Sequence, residues 1–450
     1  MSWIRPELRR LLELAAPLVV TQLASMMLGV VDTMMVGRVS VQVLGAAALG
    51  HVWTFGTLVF AMGVILGMDP LVTQAHGSGD ALRQGRALQR GVVLALILSI
   101  PVGALWMFTG RAMLLLGQEP ELAQLAQSYA RVQLPGLPFF LVYTALRQYL
   151  AGRGIIRPAM VVAIVANLIN VAGNWGLIFG HLGLPALGIV GAGWATTCTR
   201  IFMALVLIAW TLRKGLARGG WVPWSRQSFS PRGLGEIATH GWPVALQFGL
   251  EVWAFQTASL VAGRIGQAEL AAHTVVLNVA SVSFMIPMGI SMAAVTRVGN
   301  LIGAGQPHRA QRASWVAMAT GASVMAVFAL VFVLFRWQIP LLYNPDRTVQ
   351  ALAASVFPIA AAFQLFDGTQ VVGSGVLRGM GRTRPAALFN LIGYYFFALP
   401  LGWYMTFNMG LGLRGLWAGL ALGLAAVAMM LTAWIRHRGP AWQMRQQTQD

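Results

Sequence analysis

The chain has 450 residues, 57% of them hydrophobic and only 10% charged, with a mean hydropathy of +0.68. A soluble domain carries roughly 25% charged residues, so a soluble globule is excluded, and disorder with it, because low hydrophobicity is the mark of disorder. The net charge of +18 does not point to nucleic acid: the basic residues fall in small groups between long apolar runs rather than on one continuous face, so no nucleic-acid partner is expected.

In chain order, residues 1–10 are short and basic, and an apolar run follows from Leu11 to about Val36. That run is too long for a signal-peptide core and reads as a retained first span. Runs of the length a bilayer requires, about 20 residues, lie near 11–36, 45–68, 88–110, 122–149, 158–180, 188–212, 236–262, 270–297, 311–336, 349–376, 385–407 and 411–435. The expected fold class is therefore an all-α membrane protein with twelve transmembrane helices in two pseudo-symmetric six-helix lobes. Connectors are short except near the middle, where Gly219, Gly220, Pro223, Ser225 and Ser230 mark a linker. The expected organisation is an N-terminal lobe at 11–212, a cytoplasmic linker at 213–235, a C-terminal lobe at 236–435 and a cytoplasmic tail at 436–450. With these spans, 24 basic residues, Arg200 and Arg445 among them, collect on one side and 6 on the other, with Arg131 left inside a span. The positive-inside rule then places both termini in the cytoplasm of a bacterial-type inner membrane.

The two halves repeat. An offset of 226 residues lays Pro17 on Pro243, Gly37-Arg38 on Gly263-Arg264, and Met62-Gly63 on Met288-Gly289. It also lays Gly77 and Gly79 on Gly303 and Gly305, and Arg83, Arg86 and Ala87 on Arg309, Arg312 and Ala313. One further residue aligns Gly152, Gly154, Arg157 and Pro158 with Gly379, Gly381, Arg384 and Pro385. Six spans per half is an even number, so the repeats are parallel, an arrangement found among transporters, where rocking of the halves alternates access.

Of thirteen acidic residues, ten lie in loops, termini or helix ends, and three lie inside spans: Asp32, Glu251 and Asp367. A charge at the bilayer centre costs about 2.5–3.5 kcal/mol on insertion scales, and such residues face cavities on ion or substrate pathways. An interhelical ion pair is the plain alternative, but Arg131 is the one in-span basic residue available for it. Counting ~1.5 Å per residue, Glu251 and Asp367 fall at similar depth in the C-terminal half, whereas Asp32 lies near the outer face of the N-terminal half. Two acidic sites, one per half, are expected. Paired carboxylates away from water disfavour their joint ionisation, so they take a proton or a cation, and Glu251 with Asp367 is the candidate sodium site. Gln247 and Gln370 sit one turn from these acids, and Asn167, Asn170 and Asn174 share one face of the fifth span. These amides either orient a carboxylate or tie helices together.

Cys198 is the only cysteine, so an intrachain disulfide is excluded. Gly410, Gly412 and Gly415 spell GxGxxG, but a dinucleotide site needs a preceding strand and a later acid, and neither is present. No HExxH, Walker A or GxSxG motif occurs. The chain is expected to be no enzyme, to hold no cofactor beyond its coupling ion, H⁺ or Na⁺, and to act as a monomer in membrane lipid. Eight prolines interrupt spans, and the many Met, Phe and Trp residues offer an adaptable apolar surface for flat cations.

The stretches VDTMMVGR (31–38) and LGMDPLVTQAHGSGD (66–80) resemble the first- and second-helix signatures of the multidrug and toxic compound extrusion (MATE) family. The stretches at 269–305 and 384–403 are similar to later blocks of the same family, and FGLEVWAF and QLFDGTQ, which carry Glu251 and Asp367, resemble its NorM-type branch. The resemblance implies a twelve-helix, two-lobe antiporter that exports organic cations and drugs against protons or sodium. It also implies cation coupling at Glu251 and Asp367 in the C-terminal half and at Asp32 in the N-terminal half. Some relatives carry a tyrosine four residues before the acid of the tenth helix. Here that position is Phe363, which removes a hydroxyl ligand for sodium and favours protons. Two other classes remain at this point. A flippase for a lipid-linked headgroup would share the architecture but wants a strongly cationic cavity. A membrane enzyme would need a catalytic cluster, and the seven histidines are scattered.

Overall fold

A computed structural model describes residues 3–442, which are helical wherever they are regular. The end of the expected tail, with Arg445, lies outside the described residues. The helices are α1 (Ile4–Val36), α2 (Val41–Ile65), α3 (Asp69–Gly77), α4 (Ala81–Met107), α5 (Thr109–Leu115), α6 (Pro120–Val132), α7 (Gly136–Gly152), α8 (Arg157–Phe179) and α9 (Ile189–Arg213). There follow α10 (Pro231–Ile265), α11 (Gln267–Gly303), α12 (Pro307–Leu334), α13 (Gln338–Leu341), α14 (Arg347–Gly379), α15 (Thr383–Leu391), α16 (Leu399–Trp403) and α17 (Gly412–Arg438).

Among the described residues, 11 continuous helical stretches are long and apolar enough to cross a membrane. The remaining expected span, near 122–149, is present as two shorter helices, α6 and α7, with a turn at Gln133–Pro135 between them. Proline has no amide proton to donate and clashes with the preceding helical turn. Pro135 stands immediately before the first residue of α7, so it starts a new helix where a residue with an amide proton would continue the old one.

Polar caps set several other starts. The side chain of Ser40 accepts from the Val43 amide at 3.1 Å, and that of Asp80 from the Arg83 amide at 2.9 Å. Asp346 accepts from the Thr348 amide at 2.7 Å at the head of the 33-residue α14. Asp346→Ala should therefore lower stability by about 1 kcal/mol, read as a small drop in the thermal midpoint of detergent-solubilised protein, and Asp346→Asn should restore most of it. Gly79 and Gly305, paired by the 226-residue offset, both take left-handed backbone (φ +73 and +68) in the turns before α4 and α12. The repeat is thus one of backbone conformation as well as of residue type.

Packing divides the chain into two compact units, Val20–Ala245 and Met1–Val19 with Leu246–Asp450. The boundaries fall inside α1 and α10 rather than in the linker between α9 and α10. The early turns of α1 pack with the second half of the chain: a Cβ on Gly289 would fall 2.7 Å from the Cα and amide nitrogen of Val19. The early turns of α10 pack with the first half, where a Cβ on Gly63 would fall 2.7 Å from the amide nitrogen of Ala245. Gly63 pairs with Gly289 and Val19 with Ala245 under the same offset, so the exchange follows the internal symmetry. Glycine is required at both points because the backbones touch.

Within the first unit, the segment before α10 is docked rather than loose. Gln89 donates to the carbonyl of Val222 at 2.7 Å and accepts from the Ser228 hydroxyl at 2.6 Å. Arg153 donates to the carbonyls of Leu216 and Arg218. Asp69, counted above among helix-end acids, is buried at the head of α3, where Gln148 of α7 donates to it at 2.9 Å. An acid at a helix N-terminus complements the helix dipole there. Within the second unit, α14 packs against α11, α12 and α17. The stretch after α15 widens into π-helical turns at Ile392–Ala398 and Tyr404–Asn408. Pro400 lies between them, and a widened turn relieves the clash a proline imposes on the turn before it.

Candidate functional site

In the unit Val20–Ala245, Asp32 projects from the last turns of α1 toward α8 and α9. Asn174 Nδ2 donates to Asp32 Oδ1 at 2.6 Å and to Asn170 Oδ1 at 3.1 Å. The Thr196 hydroxyl of α9 donates to Asp32 Oδ2 at 3.0 Å. Both carboxylate oxygens are therefore met by neutral donors. Asn170 and Asn174 are buried and sit one turn apart on α8, which is why they reach one target. Asn167 does not join them: its amide donates to the backbone carbonyl of Ala24, also on α1, at 2.8 Å. That single face of α8 thus both tethers α1 and holds its acid.

One basic residue is placed differently from the sequence reading. Arg200 counts there with the cytoplasmic charges, but it lies midway along the 25-residue α9. It sits one turn beyond Thr196, on the face that meets Asp32. Its guanidinium lies over the rings of Trp106 and Phe140, 5.6 and 5.3 Å from their centroids. It is within electrostatic reach of Asp32 and Tyr129. Arg131, the expected in-span basic residue, is exposed in the last turn of α6.

In the other unit, α10 carries Gln247 and Glu251, and α14 carries Phe363, Gln364, Asp367 and Gln370. Asp367 is buried, with 3% of its surface exposed. Glu251 and Asp367 are close enough to act on each other electrostatically, and both act on the buried hydroxyl of Tyr394. Among the described residues, no hydrogen bond or ion pair reaches either carboxylate. Two of the neighbouring amides are engaged elsewhere through their nitrogens. Gln370 donates to Asn390 Oδ1 of α15 at 3.0 Å, so it braces α15 rather than orienting Asp367. Gln364 donates to the Ser283 hydroxyl of α11. Gln247 is buried one turn before Glu251. Gly368, next to the acid, has no room for a side chain, because a Cβ would meet the carbonyl of Gly321 on α12 at 2.6 Å. That contact seats the acid against closely packed helices.

An aromatic wall stands beside these acids. Phe255 meets Phe363 and Tyr394 edge to face at 6.0 and 6.1 Å, and Phe363 meets Trp417 at 5.8 Å. The Tyr395 hydroxyl donates to the carbonyl of Leu250, immediately before Glu251, at 3.2 Å. Behind the wall, the Trp417 indole donates to His273 Nδ1 at 3.2 Å, and Nε2 of the same ring is 3.0 Å from the Ser259 hydroxyl. Accepting at Nδ1 assigns the proton of the neutral ring to Nε2. His273 is thereby a structural link among α10, α11 and α17.

Thr196, Arg200, Tyr394 and Asn390 are site residues that the sequence reading did not single out. Arg200 alone carried a signal, its position twelve residues into an apolar run. The carboxylates do not follow the repeat: the 226-residue offset sets Asp32 against Ala258 and Glu251 against Ser25. The two sites differ in kind, one acid hydrogen-bonded beside an arginine, the other a bare pair beside aromatic rings. No group of three or more His, Cys, Asp or Glu side chains is placed to hold a metal ion among the described residues.

The MatE family model matches the chain twice, at residues 17–175 and 243–404, and the two starts repeat the 226-residue offset. The chain is 38% identical to the probable multidrug resistance protein NorM of Burkholderia pseudomallei (strain K96243), covering 95% of this chain and 92% of that protein. It is 36% identical to the multidrug resistance protein PmpM of Pseudomonas aeruginosa, over 95% and 91% of the two chains. It is 32% identical to multidrug and toxin extrusion protein 1 of Oryctolagus cuniculus, over 97% of this chain and 76% of that one. Among solved structures, the eukaryotic MATE transporter AtDTX14 superposes with a TM-score of 0.90 at 26% identity, covering 98% of both chains. A MATE transporter in an outward-facing conformation superposes at 0.88 and shows the same twelve-span fold, at 19% identity and 97% coverage of both. This chain belongs to the MATE family of multi-pass membrane transporters and is not an enzyme.

Proposed function

We propose that the protein is a proton-coupled antiporter that exports organic cations across a bacterial inner membrane by alternating access, with both termini cytoplasmic. The observation that carries this reading is the pair Glu251 and Asp367, buried in one unit and met by neither hydrogen bond nor fixed countercharge. A carboxylate removed from water needs compensation, and a mobile cation is what such a pair takes. Loading and unloading that cation changes the charge of the site. The free-energy difference this makes between conformations is the coupling term. The relatives' names, multidrug resistance and toxin extrusion, agree with flat organic cations as cargo, and the rings of Phe255, Phe363, Tyr394 and Trp417 are suited to them.

Protons fit the C-terminal pair better than sodium. A hard cation requires a shell of oxygen ligands. Beside the two acids, Phe363 offers none and Tyr394 supplies one hydroxyl, while the Gln364 and Gln370 amides are tethered through their nitrogens to Ser283 and Asn390, so only their unpaired oxygens are left for a sodium ion to recruit. A proton needs only the carboxylates.

The exchange is read directly in energised everted vesicles loaded with a pH-sensitive dye. Adding ethidium should release protons from the lumen, saturably in ethidium. A lipid-headgroup flippase gives no such release, and its absence would remove the proposal.

A further inference from the structure

The inference concerns ion choice at the N-terminal site, and it rests on reading Asp32 as a coupling carboxylate. We propose that Arg200 is a specificity-determining residue that reserves the Asp32 site for protons by excluding sodium.

The placement of Arg200 is a built one. Its side-chain stem lies beside Gly136 at the start of α7, where a Cβ would sit 3.4 Å from Arg200 Cδ and 3.1 Å from the Thr197 Cα, so α7 and α9 approach closely there. Its guanidinium is held over two aromatic faces. One of these is Trp106, fully buried and itself anchored by its indole donating to the Thr57 hydroxyl at 2.8 Å. Ring faces attract a cation without neutralising it. Arg200 Nη1 is buried and has no hydrogen-bond partner. It makes no ion pair with Asp32, whose two oxygens are met by Asn174 and Thr196. The arginine is thus a permanent positive charge kept near the carboxylate but off it.

The consequence is electrostatic. The charged and titratable groups that face this charge are Asp32 of α1, His51 of α2 and Tyr129 of α6. With Asp32 ionised, the arginine balances it and the site is neutral. A sodium ion entering beside Asp32 would add a second full positive charge next to the guanidinium. Like charges within electrostatic reach of each other, away from bulk water, weaken binding by about tenfold or more. A proton also adds a charge, but it does so by forming a covalent O–H bond on the carboxylate. It needs no ligand shell: the protonated carboxyl can donate to the Thr196 hydroxyl oxygen, whose own proton then turns to the Ala192 carbonyl. Thr196 and Asn174 are oxygen-bearing side chains that would otherwise suit a hard cation, and Arg200 is the group that prevents that use.

The test is equilibrium binding of ²²Na⁺ to the purified full chain at pH 8, in the Glu251→Gln, Asp367→Asn background so that only the N-terminal site reports. That background and Arg200→Lys, which keeps the charge, should bind no saturable sodium. Arg200→Gln and Arg200→Met should each gain saturable binding, tighter than the background by at least about tenfold, and adding Asp32→Asn should remove it. Asp32-dependent sodium binding with Arg200 intact overturns the proposal, whether or not the Arg200 variants fold. So does a folded Arg200→Gln or Arg200→Met protein that gains none. Proton-driven ethidium export, assayed separately in Asp32→Asn, tests the antiporter reading itself. Its persistence would remove Asp32 from coupling while leaving the sodium result to stand or fall alone.

Discussion

Reconstituted vesicles carrying Glu251→Gln together with Asp367→Asn are expected to lose pH-driven ethidium export by about two orders of magnitude while the protein still inserts and superposes on the parent by circular dichroism. The magnitude follows from what these acids can contribute. Each ionised carboxylate in the membrane interior costs about 2.5–3.5 kcal/mol relative to its compensated form, and about 1.4 kcal/mol is a factor of ten. One such term removed is therefore about 70- to 400-fold in the bias between states. The isosteric amides keep the shape of the side chains, so packing is preserved and the loss reads out charge and proton binding. Either single variant should retain a fraction of the exchange, because the remaining acid still takes a proton. Parental export by the double variant would show that the bare pair is a structural accident of α10 and α14.

A second large effect is expected far from the acids. Arg297 of α11 makes a two-pronged ion pair with Glu7 of α1, Nε to Oε1 at 2.5 Å and Nη2 to Oε2 at 2.9 Å. The side chains are 15% and 10% exposed. Removing one partner of a buried pair leaves the other uncompensated and costs about 3–5 kcal/mol. Glu7→Ala and Arg297→Ala should each lower the thermal midpoint markedly, and the double variant should be less affected than the sum of the two. By contrast, Arg9 with Glu13, a neighbouring pair on α1 with side chains 83% and 61% exposed, should contribute under about 1 kcal/mol. Additive losses at Glu7 and Arg297 would mean that the pair does not hold the start of α1 to its unit.

The expected class of fold was legible because hydropathy is a local property that needs no partner to read. So was the repeat, since paired glycines such as Gly63 and Gly289 serve the same backbone contact in each half. The exchange of the first turns of α1 and α10 was not legible, because nothing local distinguishes a helix that changes neighbours halfway along. Pro135 and Pro138 stood in plain view, but a proline that kinks a span and one that divides it look alike until the next helix is seen to begin. At the candidate site, the α8 asparagines were readable from their spacing, whereas Thr196 was not. The Thr196 hydroxyl lies equally close to the carbonyl of its own turn, at Ala192, the partner helical threonines commonly take, so its single proton has two acceptors. For Gln370 the sequence leaves both roles open, because an amide three residues from an acid can as readily reach across to another helix, here to Asn390. Arg200 was misassigned by a rule that sorts basic residues by side. The rule has no place for a cation held at mid-span by aromatic rings.

The claim on which the account rests is that export is driven by cation exchange at buried carboxylates, with the proton as the cation. Purified protein in sealed liposomes, given a pH gradient alone, a sodium gradient alone or neither, tests it most directly through the initial rate of ethidium transport. Transport is expected with the pH gradient and none above background in the other two conditions. Transport driven by the sodium gradient alone would contradict proton coupling, and equal rates in all three would contradict coupled antiport altogether.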